Sequence, residues 1–412
     1  MIPIIPVASS AAEDFLRGLP SSPAIEGSGL VAPPPLALYV HWPWCVKKCP
    51  YCDFNSHESR SGIDEAAYLA ALIGDLEAAL PQIWNRPVIS VFIGGGTPSL
   101  MRAETAEALL AAIRMRVPLQ PGAEITLEAN PGTAEAAKFA GFRAAGVTRL
   151  SIGVQSFDNA KLAALGRIHD SAEAQRAIEM ALQNFDRVNL DLMYALPGQT
   201  LAAAQQDITT AIHTGVSHIS AYHLTLEPNT PFHHAPPPLP DDDLAADIQE
   251  MVEATLAAAG FTHYETSAFA KPADGDDRRC RHNMNYWRFG DYLGIGAGAH
   301  SKLSNHETIW REARHRHPRA YLAGAARGDF ISTQHPVDSA DLPGEFMMNA
   351  LRLNEGFLPR LFTERTGLPL AAIEEPALAA RRADLLETVD GLMRPTPRGR
   401  RFLNQLLGGF LK

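Results

Sequence analysis

From Leu36 onward the chain repeats one pattern six times: a short β-rich run, then a longer amphipathic run. The strand candidates are Leu36–His41, Val88–Ile93, Glu124–Glu128, Thr148–Val154, Arg187–Met193 and Ser217–Leu224. Between them, apolar residues recur at helical spacing in Asp64–Leu80, Ala103–Met115, Thr133–Ala145, Ser171–Asn184 and Leu201–Thr214. Strands alternating with helices predict an α/β fold with a parallel sheet and right-handed crossovers. Six units fall short of the eight that close a complete barrel, so the expectation is an open, partial (β/α)6 barrel.

The polar residues follow the same pattern, because each predicted strand ends in chemistry. A cysteine loop follows His41, Gly94–Gly96 follow Ile93, and Glu128 and Asn130 close the third strand. Gln155 follows Val154, Asp191 lies near the end of the fifth strand, and Glu227 follows the sixth. Parallel βα sheets place their sites at the C-terminal strand ends, so six agreeing ends predict one site there.

Outside this core the pattern changes. Met1–Pro35 is rich in Pro, Ala, Ser and Gly, has Arg17 as its only cation, and lacks the basic-then-apolar layout of a secretory signal. It is expected to be a largely disordered leader with one short helix around Ala11–Leu19. A Pro run through Pro240 predicts a stiff linker, and Asp241–Asp243 offer an N-cap for a helix through Ala259. Phe261–Phe269 is strand-like, Pro272–Arg281 a loop, and Asn283–Ser301 aromatic and then Gly-rich. From about Ala320 the pattern is helical, with a turn at Pro395–Arg398 and a final apolar helix over Arg401–Leu411. No apolar run reaches the ~18 residues of a membrane span. With 36 Lys plus Arg against 46 Asp plus Glu, the formal charge of −10 disfavours non-specific nucleic-acid binding.

Of four cysteines, three stand as Cys45-Val-Lys-Lys-Cys49-Pro-Tyr-Cys52. This is no disulfide framework for so long a chain; it predicts metal ligation in a reducing cytoplasm. Three thiolates at this spacing suit three irons of a cubane, leaving the fourth iron open to a small molecule. The alternative is a zinc site completed by Cys280 or a histidine, but no second CxxC or HxxxH pair accompanies it.

CxxxCxxC with an aromatic before the last Cys, entered from Tyr39-Val-His-Trp-Pro-Trp, resembles the radical S-adenosylmethionine (SAM) superfamily. It is most similar to the branch holding the oxygen-independent coproporphyrinogen oxidases (HemN) and the haem chaperones (HemW). The resemblance begins near Leu36 and runs to the C-terminus. It implies a radical SAM core barrel over 36–230 and a linker and barrel extension over 231–310. A small, mostly helical HemN-type domain over 311–412 would follow, after a leader of 1–35. It also implies a [4Fe–4S] cluster on Cys45, Cys49 and Cys52.

The family's GGGTP segment holds the methionine end of SAM, which assigns Gly95, Gly96 and Thr97. Glu128, Gln155, Arg167 and Asp191 match its other SAM positions, and Tyr39 and Tyr51 would flank the adenosine. Read without the family, a Gly triplet is also a plain turn, and any one of these polar side chains is also a salt bridge or cap. The resemblance further implies reductive cleavage of SAM to a 5′-deoxyadenosyl radical, which needs an electron donor.

Two features separate the two branches. The oxidases carry a further cysteine two residues after the third ligand, where this chain has Phe54. His282-Asn-Met-Asn-Tyr286-Trp287 resembles the HNxxYW signature of the haem chaperones, and the following Gly294–His300 segment fits that family too. The hexapeptide offers an imidazole for iron and two aromatics for a macrocycle face, so His282, Tyr286 and Trp287 are the candidate haem residues. Taken alone, such a histidine is more often structural, and His300 could compete for the iron. Ala268 departs from the family, which has Asn there, and the long leader is shared with the oxidases. The expectation is a haem chaperone rather than an enzyme: haem is its cargo, an acceptor haemoprotein its partner, and cluster and SAM its cofactors. The alternative is an oxygen-independent coproporphyrinogen III oxidase; a zinc-stabilised scaffold comes third.

Overall fold

A computed structural model describes residues 29–59, 62–132, 136–273 and 275–411. The leader helix expected around Ala11–Leu19 lies outside the described residues. The six expected strands are present as β1 (Leu36–Trp42), β2 (Val88–Gly95), β3 (Leu119–Ala129), β4 (Arg149–Gln155), β5 (Val188–Tyr194) and β6 (His218–His223). They pair in parallel in that order. Leu36, Leu38, Val40 and Trp42 alternate along β1 and bury in a core shared with the crossover helices.

Those helices begin where the sequence caps them. Asp64 accepts from Ala67 N ahead of Glu65–Ala79, and Asp170 with Glu173 forms a capping box for Ser171–Asn184. Thr200 caps Leu201–His213, and Asp241 caps Asp242–Ala258. The third helix is Phe139–Ala145, shorter than expected; residues 133–135 are not described.

The sheet is larger than six strands. Further strands are β7 (Thr262–Glu265), β8 (Ala268–Ala270), β9 (Asp291–Ile295), β10 (His300–Ser304), β11 (Ile309–Arg314) and β12 (Ile331–Pro336). The order is β12-β11-β10-β9-β1-β2-β3-β4-β5-β6-β8-β7, and its two separate ends keep the barrel open. β9 pairs in parallel with β1, so it is a seventh parallel strand drawn from the Gly-rich segment. The strand-like piece Phe261–Phe269 is the hairpin β7–β8, antiparallel to β6.

Residues 309–336 therefore continue the sheet, with the expected helix near Ala320 present as Pro318–Ala325 between β11 and β12. They are tied to the barrel by a buried pair: Arg314 Nε donates to Asp75 Oδ1 at 3.0 Å. Tyr321 donates to the same carboxylate at 2.9 Å. The mostly helical part starts at Leu342, has its own core around Phe346, Phe357, Phe362 and Ile373, and contains one hairpin, β13 (Leu386–Val389) and β14 (Leu392–Pro395). The expected last helix is split at Phe402 into Pro397–Arg401 and Leu403–Gly408. Among the described residues no helix is long and apolar enough to cross a membrane.

Candidate functional site

The cysteine loop leaves the end of β1 at Trp42, whose indole is buried edge-on to Tyr68. The loop turns back on itself, with Trp44–Cys45 laddered to His57–Glu58. Asn55 fastens it to the rest of the protein, donating through Nδ2 to Ala297 O and Arg316 O, each at 2.9 Å. This explains the glycines after β9. Gly298 has φ +77°, and a Cβ there would lie 2.1 Å from Asn55 Nδ2.

The three loop sulfurs are half-buried and each has its own polar neighbour. Thr97 Oγ1 donates to Cys45 Sγ at 3.5 Å, and Arg167 Nη1 donates to Cys49 Sγ at 3.7 Å. Ser56 Oγ lies 4.0 Å from Cys52 Sγ. Burial pushes the Cys45 and Cys52 thiols up, because the thiolate loses water, so metal binding there must release protons. The donor set fits the implied cluster: three sulfurs around one cavity wall, each with a donor suited to sulfide or thiolate charge. Among the described residues no three His, Cys, Asp or Glu groups close on a single-ion site. Cys280 does not join the other cysteines; it is buried on the wall of a different cavity.

Gly95 and Gly96 pack against the loop's backbone. Gly96 N donates to Trp42 O at 2.7 Å, and Thr97 N to Trp44 O at 2.8 Å. A Cβ on Gly96 would meet Trp44 O at 2.6 Å, and one on Gly95, at φ +121°, would meet His41 Cε1 at 2.6 Å. Gly95 N donates to Glu128 Oε2 at 3.0 Å. The triplet therefore seats the cysteine loop on β2 while also lining the cavity.

That cavity, of about 440 Å³, sits at the C-terminal strand ends. The cluster cysteines line it together with Tyr51, Gly95, Gly96, Thr97, Glu128, Gln155, Arg167 and Asp191. Gln155 follows a register slip in the β4–β5 pairing and has φ 69°, which re-aims it into the cavity. Arg167 is held on both sides, donating through Nη2 to Asn130 Oδ1 at 2.7 Å and Gly153 O at 2.8 Å. Asp191 accepts from Ser151 Oγ at 2.9 Å and Asn189 Nδ2 at 3.0 Å. Burial, with the facing Asp191 carboxylate, pushes Glu128 up to about 7 despite the Gly95 N–H.

Tyr39 is the exception among the expected SAM residues. It lies three residues before the end of β1, one layer deeper, with its hydroxyl 2.9 Å from His41 Nδ1. It lines a second, interior cavity of about 220 Å³, which shares Glu128, Ser151, Asp191 and Tyr222 with the first.

Of the expected haem residues, His282 and Tyr286 are brought together, with ring centroids 4.9 Å apart, and Trp287 is not. All three stand on one helix, Arg281–Trp287, where His282 and Tyr286 share a face and line the interior cavity. His282 is 2% exposed, with Nδ1 3.1 Å from Ser90 Oγ, and desolvation lowers its pKa to about 3. Trp287, one residue past Tyr286, turns away to pack near Tyr264, Met284 and Leu353 under the Arg352 guanidinium at 4.5 Å. The interior cavity is below the roughly 300–1,000 Å³ of ordinary ligand pockets.

Ser151, Met193, Tyr222 and His223 also line the main cavity and were missed in the sequence. Ser151 alternates with Gly153 and Gln155 on β4, a period-2 signal that could have found it. Asn130 was visible at a strand end, but its role as the link between Thr97 and Arg167 was not.

Comparison with known proteins follows the same lines. A family model for the radical SAM superfamily matches residues 39–211, and one for the HemN C-terminal domain matches residues 337–402. A Haemophilus influenzae protein named heme chaperone HemW is 46% identical over 385 residues, covering 92% of this chain and 98% of its own. The Escherichia coli protein of the same name is 46% identical over 388 residues, covering 93% and 100%. The solved structure of Escherichia coli coproporphyrinogen III oxidase (HemN) superposes with a TM-score of 0.77 at 22% identity, covering 97% of this chain and 93% of that one. At that identity the superposition speaks for the fold alone. Near-half identity along almost the whole length of two relatives is a stronger tie: the chain belongs to the radical SAM superfamily, in the family of the HemW proteins.

Proposed function

We propose that this protein is a haem chaperone that binds haem and hands it to an acceptor haemoprotein, carrying a [4Fe–4S] cluster and SAM. The observation that carries the reading is its full-length kinship to relatives named as haem chaperones. Position 54 agrees with it: the side chain lining the cavity there is an exposed phenylalanine, not the oxidases' further cysteine. Free thiols suit a reducing compartment, the cytoplasm in this proposal.

In this reading Cys45, Cys49 and Cys52 hold the cluster, and the strand ends hold SAM. When bound, the pair supplies one-electron cleavage of a sulfonium, should an electron donor reach it. The chain's own residues position and protect. Thr97, Arg167 and Ser56 place polar hydrogens at the sulfurs. Asp191 and Glu128 present acceptors for hydroxyls or an ammonium, with Asp191 fixed by Ser151 and Asn189. Tyr51 packs against Phe232, which buries beside the loop and donates from its backbone N to Pro50 O at 3.1 Å, shielding that side from water.

The test is an anaerobic assay of reconstituted protein with SAM, reductant and coproporphyrinogen III. The proposal expects no protoporphyrinogen; sustained decarboxylation would assign the chain to the oxidases instead.

A further inference from the structure

The histidine of the HNxxYW helix is enclosed, whereas a different imidazole stands in the open cavity. Of the chain's 15 histidines, His223 is the one that lines the cysteine cavity among the described residues. It is the last residue of β6 and is exposed. Neither ring nitrogen makes a hydrogen bond among the described residues. Its ring contact is edge-on to Tyr194, at 5.5 Å and 79°. We propose that His223 is the axial ligand of the haem iron, and that haem is carried at the mouth of this cavity. The inference rests on the haem-chaperone reading and names where its cargo sits.

A haem site needs a free donor to iron, apolar walls for the macrocycle and cations for the propionates. His223 supplies the donor. Two structural histidines have both ring nitrogens taken: His218 bonds Asn189 at 2.6 Å and Tyr264 at 2.9 Å, and His41 bonds Tyr39 and Asn55, each at 2.9 Å. His282 keeps an unbonded Nε2, but that atom is buried in the interior, whereas the ring of His223 is open to the cavity mouth.

The walls are also present. Phe54 is 60% exposed and Tyr222 40% exposed, and both line the cavity beside Met193 and Leu224. Large apolar side chains gathered at a mouth and left open to solvent mark a surface that a flat apolar ligand covers. Lys47 is exposed on the same rim and offers the cation for a propionate. Asp53 and Glu227 also line this rim, so the propionates lie toward Lys47. A site at the mouth, rather than in the 220 Å³ interior, also leaves the cargo within reach of an acceptor.

The experiment titrates ferric haem into anaerobically reconstituted protein, comparing wild type with His223→Gly and His282→Ala. His223→Gly is expected to weaken binding by roughly tenfold or more and to move the Soret band. Free imidazole in the buffer should restore the wild-type band, which a merely structural role for His223 would not allow. Its iron content should match wild type, showing that the loop remains intact. A His223→Gly titration superimposable on wild type would overturn the inference. So would a Soret shift that follows His282→Ala and not His223→Gly. Wild-type protein that takes up no haem would instead remove the chaperone reading itself.

Discussion

Arg167 and Cys49 lie 118 residues apart and meet with 3.7 Å between Nη1 and Sγ. The same guanidinium holds Asn130, which in turn donates to Thr97, whose hydroxyl points at Cys45. A strand end, a glycine turn and the cysteine loop are thus one polar chain. Arg167→Ala breaks it at its charged member. A charge-assisted bond contributes about 1.5–3 kcal/mol, so SAM affinity should fall roughly tenfold to a hundredfold. Asp191→Ala should weaken binding in the same direction. SAM titration followed by the cluster's EPR spectrum checks both; unchanged affinity in both variants would move the SAM site elsewhere.

Cys45→Ser, Cys49→Ser and Cys52→Ser should each abolish the cubane, since the three sulfurs share one cavity with no fourth cysteine on its wall. Cys280→Ser should leave it in place. That thiol is buried on the N-cap residue of Arg281–Trp287 and is pushed up to about 12 by desolvation, so it stays neutral. Iron content and visible absorption after anaerobic reconstitution are the measurements.

Much of this site was legible because the strand-end rule is local. A strand of the right period fixes where its last residue points, and Glu128, Gln155 and Asp191 were found that way. Tyr39 lies deeper than the other expected SAM residues because the motif containing it straddles two layers of β1: the residue sits mid-strand and the cysteines beyond its end. Trp287 stands apart from the other two expected haem residues because the segment is a helix, where it cannot share the face of His282 and Tyr286. β9 escaped notice because Asp291-Tyr-Leu-Gly-Ile lacks a clean alternation. Its Asp291 is buried with Lys302 at 2.9 Å, Arg86 at 2.8 Å and two bonds from Ser304, partners outside the strand.

Glu128 predicts a pH dependence. Its carboxyl is raised to about 7 from a usual 4.5, so it gains a proton as pH falls through neutrality and ceases to be an anionic acceptor. SAM affinity should therefore decline below about pH 7, and Glu128→Gln should bind more weakly at pH 8 with a flatter profile. Without SAM, the folded chain holds more proton than the unfolded chain between about 4.5 and 7. This group alone then lowers stability as pH rises through that window. Isothermal titration across pH 6–8 reads the binding; an identical profile in Glu128→Gln would exclude the residue as the titrating group.

Gly95→Ala should damage the loop seat. The position has φ +121°, and the added methyl would meet His41 Cε1 at 2.6 Å and Trp42 O at 2.9 Å. Strain of this kind costs about 1–3 kcal/mol, so the melting temperature should drop and cluster occupancy with it. Wild-type stability and iron content in the variant would show that the turn has room to spare.

The most direct test of the central claim is the stoichiometry of haem uptake. Purified, reconstituted protein titrated with haem should give a saturable Soret transition at about one haem per chain. Titration without saturation, or with no spectral change beyond free haem, would contradict the account.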